Sequence, residues 1–289
     1  MSAMAKDKHL QKVIAQISAI DPVVALDLEA LTGCLARAIA REEQRAAAVA
    51  SVPTQPSKIA LISVSGPLTP RGSWYGSSLA QIAAQVARAA ADADVGSIIL
   101  DVDSPGGTVA GTAEAAAAVA EAAQRKPCVA CVNTLAASAA YWIASQASEI
   151  VMTPSADVGS IGAMVMHVDY SKALEDAGIT VTMIRSEQSP KKNEAHPFGP
   201  LSDEARANLQ SRVNDAGADF IRAVASGRRV TQSKVKEDFG QGRMFGAREA
   251  VARGMVDRIS TFDELVSRLS MTKRSAMIGN RRRSSFTFE

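Results

Sequence analysis

The chain has 289 residues, 47% of them hydrophobic, enough to bury one large core with appendages, or at most two domains. Its 32 basic and 30 acidic residues leave a formal charge of +2, so no overall field draws it to nucleic acid or to a membrane surface. Aromatic residues make up only 4%, which argues against stacking platforms for single-stranded nucleic acid; alanine carries much of the apolar count, so helices should pack through small side chains.

The opening stretch MSAMAKDKHLQKVIAQISAID scatters charges among its apolar positions and reads as neither a secretory signal nor a membrane span, so the expected location is the cytoplasm. Helical periodicity in LQKVIAQISAI and LDLEALTGCLARAIAREEQRAAAVA predicts an N-terminal helical segment, and the Ser/Pro-rich SVPTQPSK closes it, placing a boundary between residues 55 and 56. The texture then changes to short apolar β-type runs alternating with helical stretches: IALISV, SLAQIAAQVARAAADAD, SIILDVDS, TAEAAAAVAEAAQR, CVACVN, SAAYWIASQA and EIVMTP. That alternation predicts an α/β domain of repeated βαβ units around a mainly parallel sheet, extending to residue 269.

AMVMHV and ITVTMI read as further strands of the same series. LSDEARANLQSRVNDAGADFIRAVASG reads as a long amphipathic helix with Ser202 as its N-cap and Asp203 and Glu204 in its first turn. Residues 270–289 lose periodicity and become basic, with Arg281, Arg282 and Arg283 adjacent, the composition of a disordered arm. A tether for nucleic acid or an acidic partner is the second reading of that tail.

The three cysteines, Cys34, Cys128 and Cys131, make no disulfide framework and fit a reducing compartment. Cys128 and Cys131 have C-x-x-C spacing, but on a strand an offset of three points the thiols to opposite faces, which favours core packing over metal or redox chemistry. The sequence carries no Walker loop and no dinucleotide fingerprint, and no cofactor or metal is expected.

Two segments carry chemistry. In SIILDVDSPGGTVAGT an apolar strand ends in Asp103-Ser104-Pro105-Gly106-Gly107 before a helix. Paired glycines let the backbone turn and approach a ligand with its amides aimed at developing negative charge, although an ordinary strand-to-helix turn would read the same way. In VNTLAASAAYWIAS a strand feeds small residues and then a helix whose first turn would hold Ser138, with the amide of Ala139 next to it. Taken alone, Ser138 is as readily a small packing residue. A serine nucleophile needs a base. His167, after the strand-like GAMVM, would make a Ser-His-Asp arrangement; Lys191 and Lys192, in SEQSPKKNEAHPFGP, offer a lysine instead, provided its amine is desolvated.

Together and in this order, DSPGG, AASAAYWIAS, DVGSIGAMV and KNEAHPF resemble peptidase family S49, the signal peptide peptidase A family, over roughly Lys58 to Leu269. The resemblance implies a ClpP/crotonase-like fold and a Ser-Lys dyad. Ser138 falls on the nucleophile of the A-S-x-x-Y motif and Lys192 on the general base of K-x-x-x-x-P-[FY]. Ser160, in VGSIG, matches the serine that holds the base lysine, and Gly107 and Ala139 match the amide donors of the oxyanion hole. Many bacterial members have Gly-Gly after the nucleophile, where this chain has Ala139 and Ala140, and glycine three before the base, where it has Ser189.

The HVDYSKALEDAGI stretch and the paired alanines resemble the bacteriophage branch, of the minor capsid protein C or head-maturation type. This implies protein or peptide substrates such as capsid or scaffold proteins, no membrane anchor, association with the prohead and a homo-oligomer. Three other readings are a capsid scaffold or connector with a peptidase fold, a soluble peptidase degrading signal peptides, and a crotonase-type enzyme acting on acyl-coenzyme A.

Overall fold

The computed structural model describes Val24–Leu26 and residues 58–270. The remainder of the expected N-terminal helical segment, with His9 and Cys34, and the basic tail lie outside the described residues. Contacts divide the chain into two units: Ala163–Ala218 belongs to one, and Ala25–Gly162 and the residues from Asp219 onward belong to the other.

The larger unit is built on a parallel sheet. Strand β1 (Val24–Leu26) pairs with β4 (Gly106–Thr108) in a small separate sheet. The main sheet contains β2 (Lys58–Ser65), β3 (Val95–Ser104), β5 (Cys128–Ala137), β6 (Glu149–Met152) and β9 (Arg258–Ile259), parallel and side by side in that order. Helices α1 (Leu79–Ala91) and α2 (Thr112–Arg125) connect β2 to β3 and β4 to β5, and the short α3 (Ala139–Ala144) connects β5 to β6. These are the βαβ units that the alternating sequence predicts. Ser78 caps α1 through a bond from the Gln81 amide to its Oγ at 3.2 Å.

Because both faces of the sheet are covered, β3 and β5 are apolar at consecutive positions instead of alternating. On one face Ile98, Leu100, Cys128 and Ala130 pack with Leu79, Ile82 and Val86 of α1 and Ala115 and Val119 of α2. On the other, Ile99, Val129, Cys131 and Val151 pack with Leu265 and Leu269 of a helix over residues 262–270 (α8). Cys128 and Cys131 thus point to opposite faces as expected, and burial pushes both thiols up to about 12, which makes them inert.

The register of β3 against β5 slips once, so that Val102 pairs with Val132 but Asp103 with Leu135, leaving Asn133 and Thr134 as a bulge. Before the bulge β5 is flanked by β6; beyond it, by β7 (Asp157–Gly159). β7 in turn pairs antiparallel with β8 (Met244–Gly246), which precedes α7 (Ala247–Arg253).

The smaller unit departs from the sequence reading. Neither AMVMHV nor ITVTMI forms a strand; a short helix, α4 (Ser171–Asp176), separates them. Their composition suits a strand, but a strand persists only when a neighbour takes up its backbone N–H and C=O groups. Their apolar side chains are left exposed, among them Met166, Val168, Ile179, Val181 and Ile184, the last at 92%. The long helix α5 (Asp203–Arg228) starts in this unit, with Ser202 Oγ accepting from the Ala205 amide at 3.2 Å as the N-cap expected. Its later turns belong to the larger unit, where Phe220 stacks on Trp142 at 4.7 Å between ring centroids. A short helix α6 (Gln232–Asp238) follows, capped by Thr231.

Candidate active site

Ser138 occupies the single residue between β5 and α3, and its backbone is held at φ 54, ψ −123. A β-carbon makes this region costly, by about 1–3 kcal/mol, and a non-glycine residue stays there only when its surroundings over-determine it. Here they do. The Ser138 N–H donates to the Gly159 carbonyl of β7 at 2.9 Å, and its carbonyl accepts from the Trp142 amide of α3 at 2.9 Å. The residue is 1% exposed, amid Ala136, Ala137, Ala139 and Ala140, all fully buried. A strand that ends in a strained serine and turns at once into a helix throws that side chain off the sheet at a sharp elbow, the geometry of a nucleophile. Its side chain does not cap the helix it precedes.

Gly107 reaches the same end of the sheet. Ser104, the last residue of β3, pairs with Ala136 of β5, so β4 and Ser138 both leave the carboxyl ends of adjacent parallel strands, and α3 packs against β4. Ser104 Oγ donates to the Gly66 carbonyl at 2.7 Å and accepts from the Gly106 amide at 3.1 Å, which fixes the turn. Gly106 has φ 94, and a β-carbon on Gly107 would lie 1.8 Å from the Leu68 carbonyl oxygen, so both positions require glycine. On one edge of β4 the Leu68 amide bonds the Gly106 carbonyl (2.8 Å) and the Thr108 amide bonds the Leu68 carbonyl (2.9 Å). Strand alternation therefore turns the amide of Gly107 to the opposite edge of β4, the edge along which β1 pairs. The amide of Ala139 lies in the first turn of α3, where a helix offers it no acceptor of its own.

Ser160 follows β7 with φ 55, and its N–H donates to the Arg243 carbonyl at 3.0 Å. Because Gly159 holds the Ser138 amide, Ser138 is bonded to the residue that precedes Ser160 at the end of β7. Four of the five expected site residues thus share the larger unit: Gly107, Ser138, Ala139 and Ser160.

Lys192 belongs to the smaller unit, on a run of turns, and its side chain is exposed. The poorly hydrated setting expected for a basic lysine is not found within the smaller unit among the described residues, and residues 186–200 themselves form no helix or strand. Lys191 is ion-paired with Glu204 of α5. The rival base, His167, is half-buried, and its Nε2 donates to the His196 carbonyl at 3.0 Å. Arg185, which nothing in the sequence marked, donates from Nε to the Lys192 carbonyl at 2.6 Å and from a terminal nitrogen to the Asn193 carbonyl at 3.1 Å. Among the described residues no group of three or more His, Cys, Asp or Glu is placed to hold a metal, and no helix is long and apolar enough to cross a membrane.

A knot of interactions anchors α3 from below. Buried Tyr141 donates its hydroxyl to the Met255 carbonyl at 2.8 Å. Arg228, 9% exposed at its side chain, forks onto Asp257 at 2.7 and 3.0 Å, and Asp257 also accepts from the Ile150 amide at 2.7 Å. Burial raises the Asp257 carboxyl, but the hydrogen bonds and charge of Arg228 and the Ile150 amide outweigh it and hold the group below the usual carboxylate range.

A model of peptidase family S49 matches residues 120–275. The capsid assembly protease C of Escherichia phage lambda is 34% identical over 178 residues, covering 62% of this chain and 40% of that protein. The head-tail preconnector protein GP5 of Enterobacteria phage P21 is 31% identical over 198 residues, covering 68% of this chain and 39% of its own length. The chain thus spans about two fifths of these phage relatives. Among solved structures, a membrane protease specific for a stomatin homologue from Pyrococcus horikoshii superposes with a TM-score of 0.44 at 15% identity, over 73% of this chain and 77% of that one.

Proposed function

Because the chain belongs to peptidase family S49, we propose that it is a serine endopeptidase that hydrolyses peptide bonds with Ser138 as nucleophile and Lys192 as general base. The observation that carries this reading is the strained, buried Ser138 at the β5–α3 elbow, at the same end of the sheet as Gly107. Neutral Lys192 takes the hydroxyl proton as Ser138 Oγ attacks the scissile carbonyl, and the amides of Gly107 and Ala139 take up the charge on the carbonyl oxygen. Lys192 returns the proton to the departing amine, and water hydrolyses the acyl-enzyme by the same route. Ser160 orients the lysine. His167 is the weaker candidate because it falls on none of the motifs that carry the resemblance to the family.

The substrates in this reading are capsid or scaffold proteins of a phage, supported by the two phage relatives. Copies of the chain assemble, and assembly covers the Lys192 loop and the apolar side chains exposed near it in sequence. A scaffold or connector role with catalysis lost is disfavoured by the strain retained at Ser138, which packing alone does not require.

The test is co-expression with neighbouring capsid proteins, followed by mass spectrometry of the fragments. Discrete fragments with the wild-type chain and none with Ser138→Ala are expected. That substitution removes one oxygen, so its thermal melt should match the wild type closely. Continued cleavage by a folded Ser138→Ala chain would remove Ser138 from the mechanism.

A further inference from the structure

We infer that Arg185 is a positioning residue for Lys192, an inference that rests on the reading of Lys192 as the general base. No helix or strand runs through residues 179–202, so the backbone carrying the base is shaped by turns alone. The Lys192 amide donates to the Ser189 carbonyl at 3.1 Å, the Glu194 amide donates to the Lys191 carbonyl at 3.2 Å, and Asn193 sits at φ 54. Such bonds fix the local turn but leave its tilt free, and with it the direction in which Lys192 leaves the chain.

Arg185 removes that freedom. Its half-buried guanidinium bonds two successive carbonyls, Lys192 through Nε at 2.6 Å and Asn193 through a terminal nitrogen at 3.1 Å. Two donors in one rigid plane, gripping the carbonyls of the two successive peptide units that meet at the Asn193 α-carbon, fix the tilt of the Lys192–Asn193 peptide and so restrict the direction in which the Lys192 side chain leaves the chain. Both bonds are charge-assisted. The flanks are pinned separately: Lys191 pairs with Glu204, and Asn208 Nδ2 donates to Glu194 Oε1 at 2.8 Å. These two contacts anchor neighbours of the base to α5; Arg185 alone of the three bonds the backbone of Lys192 itself. A lysine at position 185 would keep the charge but lose the planar fork.

A base displaced by about 1 Å from its nucleophile loses on the order of a hundredfold in rate. The experiment measures kcat and KM on a quenched-fluorescence peptide built around a cleavage site mapped in the co-expression test, using the full chain and the variants Arg185→Ala, Arg185→Lys and Lys192→Ala. The expected result is a fall in kcat of about ten- to a hundredfold for Arg185→Ala, with KM within about twofold and an intermediate loss for Arg185→Lys. Added ethylguanidine should restore part of the kcat of Arg185→Ala and do nothing for Lys192→Ala. If Arg185→Ala fails to fold, Arg185→Lys carries the kcat and KM comparison. Wild-type kcat in Arg185→Ala beside an inactive Lys192→Ala overturns the inference and leaves the dyad standing. Loss of kcat with a matching change in KM and no rescue also overturns it. Full activity in Lys192→Ala overturns the dyad, and the inference with it.

Discussion

Adjacent residues divide sharply in their surroundings around the proposed base. Lys191 is tied to Glu204, whereas the backbone of Lys192 is gripped by Arg185. Lys192→Ala should therefore be as inactive as Ser138→Ala, and Lys192→Arg likewise, since a guanidinium cannot give up its proton. Lys191→Ala loses only an exposed ion pair, worth about 0–1 kcal/mol, and should retain activity. Peptide hydrolysis by the four purified variants checks this, and an active Lys192→Ala beside an inactive Lys191→Ala would move the proposed base by one residue. In the sequence, the serine was legible only through the order of surrounding motifs. Its positive φ was not, because Ala-Ser-Ala contains no glycine to announce a left-handed position; the strain comes from bonds to Gly159 and Trp142, one of them remote in sequence. Arg185 was invisible for a related reason: it binds backbone carbonyls, which every residue carries.

The secondary elements fall into a legible class and an illegible one. β2, β3, β5, α1 and α2 were readable because each is long and buried enough for its pattern to show. β7, β8 and β9 have two or three residues each, too few for any period, and they exist because neighbouring strands offer them an edge: β5 for β7, β7 for β8 and β6 for β9. AMVMHV and ITVTMI fail in the opposite sense, with β composition but no strand formed among the described residues. At this scale the contact between α5 and β6 can be tested through Asp257, which joins Arg228 to the Ile150 amide. Its carboxyl is depressed in the folded chain, so its contribution is complete above the ordinary carboxylate value of about 3.9 and is lost as pH falls through the folded value. Asp257→Asn should cost about 2 kcal/mol at neutral pH, toward the low end for a broken pair because Asp257 is 38% exposed. The difference from wild type should shrink as the medium is acidified below about pH 4. Urea unfolding across pH measures it, and a constant difference down to pH 2 would show that the carboxylate charge is not what matters.

For the whole molecule, the exposed lysine and the exposed Met166, Val168, Ile179 and Val181 point the same way. A lysine base needs its amine desolvated, and apolar side chains in water need a cover. If a second copy supplies both, specific activity per chain should fall on dilution, in step with dissociation seen by analytical ultracentrifugation. Activity that stays constant while the assembly comes apart would show that one chain is sufficient.

The partner exchange along β5 also bears on the order in which the protein is made. Ser138 is held by Gly159 of β7, β7 pairs with β8, and Ser160 is tied to Arg243, so the elbow depends on residues more than a hundred positions downstream. A chain emerging from the ribosome carries Ser138 and β7 long before it carries Arg243 and β8, on which β7 and Ser160 rest. If Ser138 is the nucleophile, as proposed, its elbow lacks that support until residues 243–246 have been made, a consequence of topology alone.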